Sequence, residues 1–147
     1  MPAPVFCENL RNSLRLCAEL GMSHLASLIE PHEQKSLGLK ALSEEGLSTG
    51  IQVHHLPIVD RQPPKLIADF KSLSDLFAEK LFAGEGVGVH CRSGIGRSGM
   101  LAASVLGKLG LEFDEALSIL AARRGLRAPN TETQLRWLRE NWKFLSD

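Results

Sequence analysis

Cys91 and Arg97 enclose five residues in the run His90-Cys91-Arg92-Ser93-Gly94-Ile95-Gly96-Arg97-Ser98-Gly99. A short apolar strand pattern, Val87 to His90, precedes this run, and a helical pattern follows it. Such a segment suits a phosphate. Successive backbone N–H groups of Arg92, Ser93, Gly94, Ile95 and Gly96 can curl around one anion. The helix N-terminus adds partial positive charge, and the Arg97 guanidinium offers a planar fork to two phosphate oxygens. The same field lowers the pKa of the Cys91 thiol, so that it is a thiolate at neutral pH. A thiolate at the base of a phosphate cradle is placed for in-line attack on phosphorus, giving a phosphocysteine and expelling an alkoxide or phenoxide. The leaving oxygen then needs a proton. Asp60, in the loop after the preceding strand pattern, is the candidate general acid and later the base for water. Ser98 can hydrogen-bond the sulfur and ease its departure.

The elements that position these residues follow from periodicity. Apolar spacing predicts a helix over Glu8–Leu20, stopped by Gly21, and a buried strand over His24–Ile29. Pro31 and Glu33 open a second helix that is expected to fade before Gly46. Ile51 to Leu56 reads as a strand ending at Pro57, and Lys65–Phe82 as an amphipathic helix. Helices are further expected over Ser98–Leu109, from an Asp114 cap to Ala122, and through Leu135, Leu138, Trp142 and Leu145. Strands alternating with helices imply an α/β fold, with a small central, mostly parallel sheet flanked by helices on both faces. Ligands of such sheets bind beyond the carboxyl ends of the strands. The loops after Ile29, Leu56 and His90 should therefore converge, bringing Glu30 and Glu33, Asp60, and Cys91 to one rim. Glu30 and Glu33 are read as shaping substrate access or capping a helix.

His90-Cys91 through Arg97-Ser98 resembles the H-C-x5-R-S/T signature of the cysteine-based protein phosphatases. His54-His-Leu-Pro-Ile-Val-Asp60, followed by prolines, resembles the acid loop of the dual-specificity type. The likeness is strongest to the branch that holds the cyclin-dependent-kinase-inhibitor-associated phosphatase and compact bacterial relatives. Arg124-Gly-Leu-Arg-Ala-Pro-Asn-Thr131-Glu-Thr-Gln134 resembles the family's segment between its last two helices, where a glutamine recurs. The resemblance runs from about Gly21 to the C-terminus. It implies Cys91 as nucleophile, Arg97 as phosphate ligand, Ser98 as thiolate support, Asp60 as general acid, and hydrolysis without metal or cofactor. It also implies that His90 orders the loop by hydrogen bonding and that Gln134 lies near the pocket. The N-terminal strands common in dual-specificity domains are hard to find before Glu8, so the sheet is expected to be short at that edge. The chain has no tyrosine and no aromatic loop of the kind that deepens tyrosine-specific pockets. Strict phosphotyrosine specificity is not expected.

Other readings of the same residues fare less well. Gly94-Ile-Gly96-Arg-Ser-Gly99 is formally a dinucleotide-binding G-x-G-x-x-G, with Asp114 twenty positions after Gly94. Cys91-Arg-Ser, however, separates the strand from the first glycine, and Asp114 sits at a helix start rather than a strand end. His54 and His55 are neighbours on a strand and point to opposite faces, so they cannot chelate one ion. A phospho-binding module without turnover would not require Cys91, Arg97 and Asp60 together.

Composition bounds the rest. A length of 147 residues predicts one domain over the whole chain. Lys plus Arg equals Asp plus Glu at 17 each, so no global field draws the molecule to nucleic acid or an anionic membrane. The three cysteines, Cys7, Cys17 and Cys91, form no disulfide framework or C-x-x-C pair, and Cys7 and Cys17 are read as structural. With no signal-like start and no long apolar run, a cytoplasmic protein is expected. The expected partner is a phosphorylated protein or peptide, with no nucleic acid and no membrane, and the protein is expected to be a monomer. Arg92 and Ile95 do not make the doubly lysine-flanked cradle that suits inositol phospholipids. Arg123, Arg124 and Arg127 form a basic cluster that solvates a surface or meets an acidic substrate.

Overall fold

In a computed structural model, residues 1–4 and 9–147 are described. The expected start of the first helix at Glu8, and Cys7, lie outside the described residues. Asn9 caps α1 (Leu10–Glu19), its side chain accepting the Asn12 N–H at 2.9 Å. Strand β1 (Met22–Ser27) follows, starting two residues before the expected position because the chain pairs as soon as it leaves the Gly21 turn.

The single helix expected after Pro31 is two. The first, α2 (Pro31–Ser36), carries a capping box between Glu30 and Glu33. The second, α3 (Leu42–Thr49), runs through Gly46 instead of ending before it, and stops at Gly50 in the left-handed region. Tertiary packing explains the difference: a Cβ on Gly46 would stand 2.8 Å from the Ile51 carbonyl oxygen and from a Val53 methyl. Glycine at that position is where a helix touches a strand, not where a helix stops.

Beyond α3 come β2 (Gln52–His55), α4 (Ile67–Phe82), β3 (Gly86–His90), α5 (Gly96–Lys108), α6 (Phe113–Arg124) and α7 (Glu132–Ser146). Helix α5 begins two residues earlier than expected, which puts Arg97 and Ser98 inside its first turn. The cap of α6 is Glu112, not Asp114: the Glu115 carboxylate accepts the Glu112 N–H at 3.1 Å, so a capping box two residues upstream wins the helix start.

The three strands form an all-parallel sheet in the order β2-β1-β3. Helices cover both faces. Val53 reaches α3 at Gly46, and α1 packs on α3 and β1. On the other face His54 meets Phe77 of α4, and α4 and α5 pack on β3, with α6 and α7 behind α5. Buried Leu14, Leu25, Leu42 and Ile51 fill one layer, and Phe70, Phe77, Met100, Leu101 and Leu138 the other. His54 and His55 face opposite ways, as alternation requires. His54 lies 3.1 Å from His24, while His55 bonds Ser43 at 2.8 Å and Gln34 at 3.2 Å. Among the described residues, no helix is long and apolar enough to cross a membrane.

Candidate active site

The three loops beyond the carboxyl ends of the strands meet on one side chain, Arg97. Its guanidinium is 1% exposed and makes a bidentate pair with Glu33, from Nη1 to Oε2 and from Nη2 to Oε1, both at 2.7 Å. Nη1 also donates to the Ile58 carbonyl at 2.9 Å, in the loop after β2. Nη2 stands 3.4 Å from Oδ1 of Asp60, whose carboxylate is otherwise open to solvent. That leaves the Nε–H, which is buried without a partner. Glu33 and Ile58 thus hold one side of the fork, and the side formed by Nε and Nη2 is left for an anion.

Glu33 therefore does more than the helix capping expected of it. One carboxylate accepts the Glu30 N–H at 2.9 Å, closing the cap of α2, and clamps Arg97 from the far side of the loop. Arg97 holds its carboxyl below the usual carboxylate range. Sequence reasoning brought Glu33 to the rim but missed this pairing. The available signal was a carboxylate at a strand's carboxyl end in a protein that must bury one arginine.

Cys91 sits at the base of the loop, 2% exposed. Burial pushes its thiol up, but hydrogen bonds from the Ser98 hydroxyl and N–H and from the Gly94 N–H, with the Arg97 charge, bring it below the ordinary thiol value. Gly94 is in the left-handed region at φ +74°, and a Cβ there would lie 2.2 Å from the Met1 carbonyl carbon. Only glycine lets the loop turn its amides inward at that point. Arg92 and Ser93 are exposed and Ile95 is half-buried, so the loop's variable side chains face outward while its backbone lines the cradle.

His90 is fully buried, and its Nδ1–H donates to the Cys91 carbonyl at 3.0 Å. Burial lowers its pKa to about 4, so the ring is neutral and keeps that bond. The pH dependence follows. Below about 6.5 the unfolded chain takes up a proton that folded His90 refuses. This contribution is complete above pH 6.5, falls as pH drops toward 4, and amounts to at most about 3 kcal/mol. Urea unfolding at pH 7, 6 and 5 is expected to show a steeper acid loss for the wild type than for His90→Asn.

Gln134, at the start of α7, is also fully buried. Its Nε2 donates to the Gln62 carbonyl in the acid loop at 3.4 Å, and its Oε1 has no partner. The amide stands against Gly96, with its two polar atoms 3.0 and 3.1 Å from where a Cβ would be. Asn130, absent from the candidates read from the sequence, brings its Oδ1 to 3.5 Å from the same point. Gln134 thus joins α7, the acid loop and the phosphate loop.

Arg127 is paired with Glu132 at 2.5 Å on the surface, and Arg123 and Arg124 are exposed. Among the described residues, the metal-ligating side chains that approach one another are Glu30, His32 and Glu33. Both oxygens of Glu33 are already committed to Arg97.

A buried cysteine with a lowered pKa stands at the strand end of a loop that turns into a helix with an arginine fork, the arrangement of a phosphate-binding loop on a parallel α/β sheet. The model of the dual-specificity phosphatase catalytic domain matches residues 11–143, and the chain belongs to that family. Similar solved structures agree. Tk-PTP in the active form is 27% identical, with a TM-score of 0.78 over 97% of this chain and 88% of that one. Kinase-associated phosphatase, carrying a serine in place of its catalytic cysteine, is 24% identical, with a TM-score of 0.86 over 99% of this chain and 84% of that one. PTPMT1 is 26% identical, with a TM-score of 0.73 over 94% and 87%. The domain is thus a phosphatase domain of the dual-specificity kind, and its reaction is phosphoester hydrolysis.

Proposed function

We propose that this protein dephosphorylates phosphorylated protein side chains through a phosphocysteine intermediate, without metal or cofactor. The observation that carries this reading is the unpartnered, buried Nε–H of Arg97 beside Cys91. A guanidinium clamped on one side by Glu33 and left open on the other is preorganised for two oxygens of a phosphoryl group.

In the first step the Cys91 thiolate attacks phosphorus, and the bond to the leaving oxygen breaks as Asp60 delivers a proton to it. Asp60 lies 3.4 Å from Arg97, close to any phosphate held there. In the second step water attacks the phosphocysteine, Asp60 takes the water's proton, and Cys91 leaves as a thiolate supported by Ser98. His90 holds the loop through the Cys91 carbonyl, and Gln134 stands where it can orient the water.

For Asp60→Asn, turnover of a poor leaving group such as an alkyl phosphate is expected to fall about 10²–10⁴-fold. An activated aryl phosphate needs little protonation and should lose far less. Equal losses across a leaving-group series would remove Asp60 from the acid role.

Outward-facing Arg92 and Ile95, in place of paired lysines, favour phosphoprotein over inositol phospholipid. The test is a panel of phosphotyrosine, phosphoserine and phosphothreonine peptides, phosphoinositides and nucleotides, read by phosphate release. Highest kcat/KM on peptides is expected. Preference for a phosphoinositide, the ligand class bound in one PTPMT1 structure, would move the protein to lipid substrates. Binding without release would make it a phospho-recognition module.

A further inference from the structure

The acid loop carries a second charged residue that the mechanism does not use. Val59 to Gln62 form a β-turn, closed by the Gln62 N–H donating to the Val59 carbonyl at 3.0 Å. Arg61 occupies its third position with φ +65°, and among the described residues it is the sole non-glycine in the left-handed region. That position asks for glycine or asparagine, because a Cβ crowds the backbone there. An arginine gains nothing from the turn, so the backbone does not explain its presence. Residues held in such a conformation cluster where substrates are bound.

Both neighbours of Arg61 are anchored at the site. Asp60 stands 3.4 Å from the Arg97 guanidinium, and the Gln62 carbonyl accepts the Gln134 amide at 3.4 Å. Arg61 itself is exposed, and its side chain has no ion pair or hydrogen bond among the described residues. Arg92, the residue after the nucleophile, is exposed and its side chain is unpaired in the same way. The charges closer in are accounted for: Arg97 is matched by Glu33, and Asp60 must carry a proton when it acts as general acid. At that moment the rim presents two arginines, from two loops, without an ion-pair partner. Exposed Val59, in the same turn as Arg61, adds an apolar surface.

We infer that Arg61 is a specificity-determining residue, which binds an aspartate or glutamate next to the phosphorylated residue of a substrate protein, with Arg92 adding to the attraction. The inference rests on the reading of the substrate as phosphoprotein. A lone guanidinium is matched to one carboxylate, whose two oxygens accept its parallel N–H bonds. A second phosphate group would call for several donors converging on one point, and Arg61 is the one cation of its turn. The contact lies at an exposed rim, so it acts on KM and weakens with salt.

The test uses peptides built on phosphotyrosine and on phosphothreonine, each with Glu or with Gln on both sides of the phosphorylated residue. Phosphate release at low and high salt gives kcat and KM. The wild type is expected to favour the Glu peptides about tenfold in kcat/KM at low salt, and less at high salt. Arg61→Gly should lower that preference about threefold or more through KM. Aryl phosphate hydrolysis should be unchanged and Tm no lower, since glycine suits the turn. Arg61→Lys should keep most of the preference, and Arg61→Glu should turn it against the Glu peptides. Arg15→Gln, which removes an exposed charge on α1, should change nothing.

The inference is overturned if the wild type treats Glu and Gln peptides alike, if Arg61→Gly keeps the full preference, or if Arg15→Gln lowers it as much. It is overturned too if Arg61→Gly slows the aryl phosphate equally, which would make Arg61 a prop for Asp60. A loss that falls on a phosphoinositide with two phosphates and spares the peptides would also overturn it. Release from no peptide at all would instead remove the protein-substrate reading, and this inference with it.

Discussion

Cys91→Ser is expected to abolish turnover of a generic aryl phosphate, by about 10⁴-fold or more, while phosphate or vanadate binding persists. A serine hydroxyl at this position would remain protonated, since the hydrogen bonds and charge that lower the thiol cannot bring an alcohol near neutrality. The binding groups are untouched by the change: the Arg97 fork, its clamp by Glu33, and the loop amides remain. Catalysis and affinity should therefore separate cleanly. Burst kinetics in the wild type should show one leaving group released per active site ahead of steady state, and Cys91→Ser should show none. Full turnover by the variant would end the nucleophile assignment, and lost phosphate binding would mean that the loop had collapsed.

The second large effect is predicted at Glu33, a residue that need not touch substrate. Its carboxylate and the Arg97 guanidinium are 3% and 1% exposed, so each is the other's counter-charge away from water. Glu33→Ala would leave a buried guanidinium with the Ile58 and Leu28 carbonyls and the partly solvated Asp60 as its remaining partners. Breaking a buried pair from one side costs about 3–5 kcal/mol, which for a chain of this size lowers Tm by about 10 °C. Freed from its clamp, Arg97 would also swing toward Asp60, so KM for an aryl phosphate should rise along with a fall in kcat. Glu33→Gln keeps the size and one acceptor, and should recover much of the stability but little of the activity. The pair also has a pH signature. Because the folded Glu33 carboxyl is held below its unfolded value, its contribution is present above the ordinary carboxylate pKa and is lost as pH falls through the folded one. Thermal unfolding of wild type and Glu33→Gln from pH 7 to pH 3 measures it. Unchanged Tm and kinetics in both variants would show that the clamp contributes nothing.

These two residues mark how far the sequence could be read. Cys91, Gly94, Arg97 and Ser98 lie within eight consecutive positions, and local geometry alone makes them a phosphate loop. The strand before them and the helix after them carry their own periodicity. Asp60 was legible because parallel sheets bring the carboxyl ends of their strands together. The breaks were harder. Gly46 looks like a stop until β2 is laid against α3, and the two helices of Pro31–Thr49 look like one until Gly38 turns the chain between them. Asp114 and Glu112 are both acceptable near a helix start, and the reciprocal bond of Glu115 decided between them.

By itself, the sequence determined the reaction class and the arrangement of a parallel sheet between helices, because each depends on residues adjacent in the chain or on a repeating period. Only the tertiary structure decided that Glu33, 64 positions from Arg97, faces that guanidinium and leaves Nε free for an anion. It also decided that Gln134 bonds the acid loop at Gln62 and stands against Gly96 of the phosphate loop. Pairings of this kind join side chains far apart in sequence, and their partners are chosen by the depth at which each loop is buried, which no local pattern records.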